Sequence, residues 1–187
     1  MRVISGTAGG IPLHTPKSDI RPTMDRVKAA IFSSLAASIP GASILDLFAG
    51  SGALGIEALS RGAAKATFVE NNPAAIQTIE KNLSKTRLGG SVQGCDVFSF
   101  LDRSSLEEEF DIVFADPPYA KRAGERDFTA ELLANAALRR VIKRDGVFVL
   151  EKLPGAPLPA TEWWQAARRK AYGATEVVFL LPSELKP

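Results

Sequence analysis

The chain has 187 residues, 45% hydrophobic and 24% charged, with a net charge of +2. That balance suits a globular domain with a real core and excludes a disordered tail, a collagen-like repeat and a disulfide miniprotein. Cys95 is alone, which excludes an intrachain disulfide and a cysteine metal cage; no metal is expected, and a reduced, cytoplasmic setting is the simpler reading. The opening Met1-Arg2-Val3-Ile4-Ser5-Gly6 lacks the apolar stretch of a signal peptide, and no apolar run approaches the roughly 20 residues that cross a bilayer. One domain over residues 1–187 is expected, an arm and helix over 1–40 preceding a core over 41–187.

In chain order, Gly6, Gly9-Gly10, Pro12, Pro16 and Pro22 predict a short hairpin or loop arm. Val27, Ala30, Ile31 and Leu35 fall at helical spacing and predict a helix over 25–37, closed by Pro40-Gly41. From Ser43 onward, apolar runs of strand length (44–48, 66–69, 111–115 and 146–150) alternate with helical segments (53–61, 73–83 and 127–142). A further short strand is expected over 91–94. Apolar strands separated by helices imply an α/β fold with a doubly wound, mostly parallel sheet and right-handed crossovers. Near the C-terminus, Ala171-Tyr172 and residues 175–181 flank Gly173, too close for a helical crossover, and predict an antiparallel hairpin at the sheet edge. Cations gather over 1–31 and 121–144, where they could meet a phosphate backbone or simply form a solvated surface.

The strongest local signal is Asp46-Leu47-Phe48-Ala49-Gly50-Ser51-Gly52-Ala53-Leu54-Gly55. A buried strand runs into glycines that let the backbone approach a ligand, and a helix N-terminus with free N–H groups comes next. Glu70 closes the next strand, where a carboxylate can accept ribose hydroxyls. Read literally, Gly50, Gly52, Gly55 and Glu70 also satisfy a dinucleotide fingerprint, so a nicotinamide-dependent oxidoreductase competes at this point. Asp116-Pro117-Pro118-Tyr119, directly after the strand over 111–115, breaks the tie. The prolines fix the backbone and remove N–H donors, leaving carbonyls and the Asp116 carboxylate as acceptors, and Tyr119 offers a flat stacking face. Those groups suit an amine on a planar ring, and hydride transfer has no obvious use for them.

At these residues the chain resembles S-adenosylmethionine (SAM)-dependent methyltransferases, in which an [Asp/Asn]-Pro-Pro-[Tyr/Phe] loop holds an amine nitrogen. Residues 2–6, Arg21-Pro22-Thr23-Met24-Asp25-Arg26-Val27-Lys28, residues 46–55, Leu59-Ser60-Arg61-Gly62-Ala63 and residues 116–119 occur in that order. The succession resembles the bacterial RsmD-type family, which methylates a guanine N2 in small-subunit (16S) ribosomal RNA. The chain departs from that family's usual pattern at Gly10-Ile11, where Gly-Arg is common, and at Ala29 and Ser33.

The resemblance implies a Rossmann-like seven-stranded sheet and a cofactor site. Asp46, Phe48, Gly50, Gly52, Glu70, Asn71, Asp96, Val97 and Asp116 would line that site, Asp96 and Val97 against the adenine. It implies catalytic roles for Asp116, Pro117 and Tyr119, and RNA contacts from Arg21, Arg26, Lys121 and Arg122. The implied partner is ribosomal RNA, within an assembled or assembling particle, met by a monomer away from any membrane. A DNA adenine or protein amide N-methyltransferase, or a non-catalytic RNA-binding assembly factor, remains an alternative.

Other residues carry blander expectations. Cys95 reads as a small buried hydrophobe and His14 as a surface histidine. Trp163-Trp164 is expected to cover a hydrophobic edge, and Glu107-Glu108-Glu109 to form a solvated turn. Arg168-Arg169-Lys170 could touch phosphate or stay solvated.

Overall fold

A computed structural model describes residues 1–15, 22–104, 109–119 and 124–183, with the side chains of Pro22, Thr23 and Ser104 left aside. Its seven strands are β1 (Ser43–Leu47), β2 (Lys65–Glu70), β3 (Ser91–Gly94), β4 (Phe110–Ala115), β5 (Ile142–Lys152), β6 (Trp164–Tyr172) and β7 (Thr175–Pro182). They form one sheet in the order β3-β2-β1-β4-β5-β7-β6. Pairing is parallel from β3 through β5 and antiparallel for β5–β7 and β6–β7. The expected parallel sheet with an antiparallel C-terminal hairpin is therefore present.

Side chains alternate between the two faces along each strand, as the pleat demands. On one face, Ile44, Phe68, Phe114, Val149 and Val177 join α1 (Pro22–Ser34), α2 (Ala53–Ser60), α3 (Pro73–Thr86) and the N-terminal arm. On the other, Leu45, Val113, Phe148 and Leu180 meet α4 (Val97–Ser104), α5 (Phe128–Ala134) and α6 (Ala136–Val141). The strand order reverses between β1 and β4, so the carboxyl ends of those strands open the crevice in which doubly wound sheets bind ligands.

Four expectations need correction. The helix placed over 127–142 is two helices, because Asn135 adopts extended backbone and its side chain caps α6 through the Leu138 N–H. Strand β5 begins at Ile142, earlier than the glycine at 146 suggested, and runs on to Lys152. Helix α1 starts at Pro22, whose fixed φ and missing N–H suit a first helical turn, and stops at Ser34. Strand β6 is far longer than Ala171-Tyr172; its charged, exposed sequence lacks the alternation that would have marked it, as fits an edge strand. Helix α4 was not foreseen; Asp96 caps it through the Phe98 and Ser99 N–H groups.

The arm is the expected hairpin, closed by a bridge between Arg2 and Pro12. It is fastened by Glu57 of α2, which is fully buried. This carboxylate accepts the Ile4 and Ser5 N–H groups and pairs with Lys28 at 3.2 Å and Arg61 at 2.7 Å. Asn82 of α3 adds a second fastening, bonded to both backbone groups of His14 and to the Ser51 carbonyl of the glycine loop. Arm, α1 and glycine loop thus share one buried polar frame.

Packing makes Gly55 obligatory, since a Cβ there would collide with the Phe68 ring. Gly55→Ala is expected to destabilise by about 1–3 kcal/mol, the usual range for overpacking. Urea denaturation checks it; an unchanged midpoint would mean that the α2–β2 contact yields freely.

Candidate active site

A cavity of about 770 Å³ opens at the carboxyl ends of β1, β4 and β5. Its floor is Asp46, Phe48, Gly50 and Ser51, one wall is Asp116-Pro117-Pro118-Tyr119, and Glu151 with Thr175 closes the far side. Met1 and Thr15 of the arm, with Met24, Val27 and Lys28 of α1, also line it.

The glycine loop is shaped by backbone that side chains resist. Gly50 and Gly52 have φ of 55° and 75°, and Phe48, a non-glycine, holds φ 55°. Such left-handed geometry in a bulky residue is uncommon and clusters at functional sites. Glu70 ties the loop down: one oxygen accepts the Gly50 N–H at 2.9 Å, the other the Asn71 and Asn72 N–H groups at 3.0 and 2.8 Å. Asp46 is 2% exposed and accepts the Gly55 N–H at 2.9 Å, fixing the first turn of α2.

Electrostatically the cavity is acidic. The Asp46 carboxyl is pushed up to about 8, chiefly by burial and then by the charges of Asp116 and Glu70. Burial, with Asp116 and Asp46 nearby, also drives Glu151 well above the ordinary carboxyl range. Burial lowers the Lys28 ammonium despite its bond to Glu57. Burial and Asp116 raise the Tyr119 phenol, so it stays neutral and donates to Asp116 at 3.4 Å. Among the described residues, these acids crowded against the weakened Lys28 make a place for a positively charged ligand.

The residues expected from sequence fall into groups. Asp46, Phe48, Gly50, Asp116, Pro117 and Tyr119 converge on the cavity. Gly52 lies directly behind it, where a Cβ would press on Ile79, Ile56 and Phe68. Glu70, Asn71, Asp96 and Val97 stand at the ends of β2 and β3, outside the cavity wall but along the same carboxyl rim. Near Asp96, Phe98 and Phe128 stack with ring centroids 6.3 Å apart and Arg126 covers both, while Phe48 meets Phe128 edge-on. Arg26 is exposed on α1, and Arg21, Lys121 and Arg122 lie outside the described residues.

Lys28, Glu57 and Glu151 were not singled out as site residues. Glu151 had a legible signal: like Glu70 and Asp116, it is an acid at the end of a parallel strand. Among the blander expectations, Cys95 is half-buried against the core and the His14 side chain is exposed. Trp164 packs on Phe148 at 5.2 Å, covering the edge as expected. Arg169 pairs with Glu176, Arg168 reaches Ser34 of α1, and of the three glutamates only Glu109 is described, exposed before β4.

The family described as conserved hypothetical protein 95 matches residues 1–181. Ribosomal RNA small subunit methyltransferase D of Escherichia coli (strain K12) is 44% identical over 135 residues, which are 71% of this chain and 66% of that protein. The Haemophilus influenzae protein of the same name is 33% identical over 177 residues, 92% of this chain and 89% of its own. The solved structure of yhhF from Escherichia coli superposes with a TM-score of 0.84 at 34% identity, covering 99% of both chains. More distantly, SMU.776, solved in complex with SAH, shares the fold at a TM-score of 0.68 and 14% identity, over 86% of this chain and 50% of that one. On residues matched over nearly its whole length, the chain belongs to the conserved hypothetical protein 95 family, the methyltransferases of RsmD type.

Proposed function

We propose that this chain transfers a methyl group from SAM to the exocyclic N2 of a guanine in small-subunit ribosomal RNA. The observation that carries the reading is the convergence of the glycine loop and Asp116–Tyr119 on one acidic cavity at the switch point of the sheet. The relatives' names supply the substrate class, since both are small-subunit ribosomal RNA methyltransferases.

The donor set fits SAM. The cofactor's ammonium and sulfonium match a cavity that places the acids Asp46 and Asp116 beside the weakened Lys28. Gly50 presents open backbone there, since a Cβ would meet only the Phe48 carbonyl at 3.9 Å. In this reading Asp46 orients the ammonium and Glu70 accepts the ribose hydroxyls. Asn71 flanks the ribose, while Asp96 and the Val97 N–H flank the adenine. When bound, SAM supplies an electrophilic methyl on sulfur.

The rest of the chemistry belongs to the loop after β4. A guanine N2 lone pair is delocalised into the ring and is a poor nucleophile. Asp116 and the Pro117 carbonyl accept its two N–H bonds, favouring a pyramidal nitrogen whose lone pair points at the methyl. Tyr119 holds the ring plane. Rate enhancement then comes from orientation and fixed electrostatics, and Asp116 need not be a strong base because the nitrogen turns acidic once alkylation begins.

The target amine cannot reach Asp116 from inside a stacked helix, so the base is unpaired or flipped. With net charge only +2, long-range attraction to a polyanion is modest, and the shape of a ribonucleoprotein particle supplies much of the selectivity. Arg21, Arg26, Lys121 and Arg122 are the proposed RNA contacts. Among the described residues no helix is long and apolar enough to cross a membrane. The proposed enzyme acts as a monomer in the cytoplasm.

Two calorimetric results are expected. Glu70→Ala weakens SAM about 10–150-fold, the loss of one charge-assisted bond; unchanged affinity removes Glu70 from the cofactor site. Because Asp46 titrates at about 8, it is largely protonated at pH 7, and a cation brought beside it ionises it. SAM binding at pH 7 therefore releases protons, seen as heats that vary with buffer ionisation enthalpy. Asp46→Asn abolishes most of that release, and an identical release in the variant would locate the proton elsewhere. Labelled SAM offered with small subunits, naked ribosomal RNA, duplex DNA and protein extract tests the substrate class. Incorporation confined to DNA or protein overturns the reading.

A further inference from the structure

The cavity holds one carboxylate that the chemistry above leaves without a role. Glu151 is half-buried at the end of β5 and lines the cavity. Among the described residues no hydrogen bond reaches its side chain, whereas Asp46 holds Gly55 and Glu70 holds the loop. An unpartnered, half-buried carboxylate facing a cavity calls for a ligand that donates to it.

Register fixes where it stands. Ala115 of β4 pairs with Leu150 of β5, so Asp116 and Glu151 leave adjacent parallel strands at the same level, about 4.8 Å apart in backbone. Asp46 pairs with Phe114, two residues before Asp116. By the pleat, Glu151 shares the face of Val147 and Val149, the one roofed by the arm and α1. Among the described residues, the charged and titratable side chains around it are Asp116, Asp46, Tyr119 and Lys28, and Lys28 is already bonded to Glu57 and the Arg2 carbonyl.

We infer that Glu151 reads the target base by accepting the guanine N1–H, beside the N2–H accepted by Asp116. On guanine these two donors project side by side from one edge, and two carboxyls from neighbouring strands present matching acceptors. The guanine N1–H favours the ionised Glu151 carboxylate by donating to it, whereas adenine and 2-aminopurine carry at N1 a lone pair, which that carboxylate repels. The loop after β4 would serve any exocyclic amine; the acid after β5 makes the site specific for a ring with N1–H. A site built to accept a donor rejects the analogue lacking it far more strongly than an apolar pocket rejects a change of size.

The inference rests on the guanine-N2 reading, and the test separates the two. Small subunits are reconstituted with ribosomal RNA bearing either guanosine or 2-aminopurine at the position the wild-type enzyme modifies. The ratio of kcat/KM for the two substrates is measured for wild type, Glu151→Gln and Glu151→Ala. Glu151→Gln can turn its amide to donate to the N1 lone pair, so the preference for guanosine is expected to fall about 10–100-fold, with SAM affinity nearly unchanged. Glu151→Ala lowers kcat/KM on guanosine and narrows the ratio less, having no donor to offer. SAM calorimetry on both variants verifies that they are folded. An unchanged ratio in Glu151→Gln overturns the inference while leaving guanine methylation in place. Loss of SAM affinity with the ratio intact also overturns it, assigning Glu151 to the cofactor's ammonium. A wild-type enzyme that forms no N2-methylguanine defeats both readings.

Discussion

Asp116→Ala is expected to lower turnover about 10²–10³-fold, the loss typical when a preorganised group at the reacting atom is removed. The reason is geometric. Asp116 sits one residue beyond β4 at the switch point, its loop held straight by Pro117 and Pro118, and Tyr119 donates to its Oδ1. In the proposed mechanism the amine of the Asp116→Ala enzyme keeps one acceptor, the Pro117 carbonyl, and its nitrogen is no longer forced out of the plane of its ring. Glycine loop, Glu70 and Asp46 are untouched, so SAM binding should be largely kept. Single-turnover kinetics beside calorimetry separates the two quantities; near-normal turnover removes Asp116 from the chemistry.

The second large effect concerns stability. Glu57 and Lys28 are 0% and 3% exposed, and Glu57 also accepts two arm N–H groups and the Arg61 guanidinium. Glu57→Ala leaves the Lys28 ammonium buried with only the Arg2 carbonyl, and leaves those two N–H groups without their acceptor. Breaking a buried pair from one side commonly costs about 3–5 kcal/mol. For a chain of this size that lowers Tm by about 6–20 °C. Because Lys28, Met1 and Thr15 all line the cavity, the same variant should also weaken SAM, loosening the roof while the glycine loop remains. Calorimetric melting checks this, and a shift under about 2 °C would mean that the arm is fastened mainly by apolar contacts and Asn82.

What the sequence made legible was what is local in it. Residues 46–55 run from a strand through a turn into a helix, and residues 116–119 leave a strand directly. Spacing alone therefore exposed the turn, the helix N-terminus and the acceptor-rich loop. The parallel part of the sheet was legible in short apolar runs separated by helices. The polar frame stayed hidden because its partners are remote in sequence: Glu57 meets Ile4, Ser5 and Lys28, and Asn82 meets His14 and Ser51. Glu57 and Asn82 fall among helix residues that could equally have faced solvent; only the docking of the arm buries them. Strand β6 was missed for a different reason. Its exposed run from Gln165 to Lys170 contributes backbone pairing to β7 and hardly any apolar surface, so no periodicity marks it. Glu151 lay between these extremes, visible as an acid after an apolar strand but given meaning by its register with Asp116.

The proposed presentation of a guanine N2 to the methyl of SAM in this acidic cavity is the step on which the rest of the proposed function depends. The most direct measurement of it is nucleoside analysis of small-subunit ribosomal RNA after reaction with isotopically labelled SAM in the particle. Label is expected in N2-methylguanosine at a single position, and absent when Asp116→Ala enzyme is used. Label in N6-methyladenosine, or in no ribosomal RNA nucleoside while DNA or protein glutamine is methylated, would contradict it.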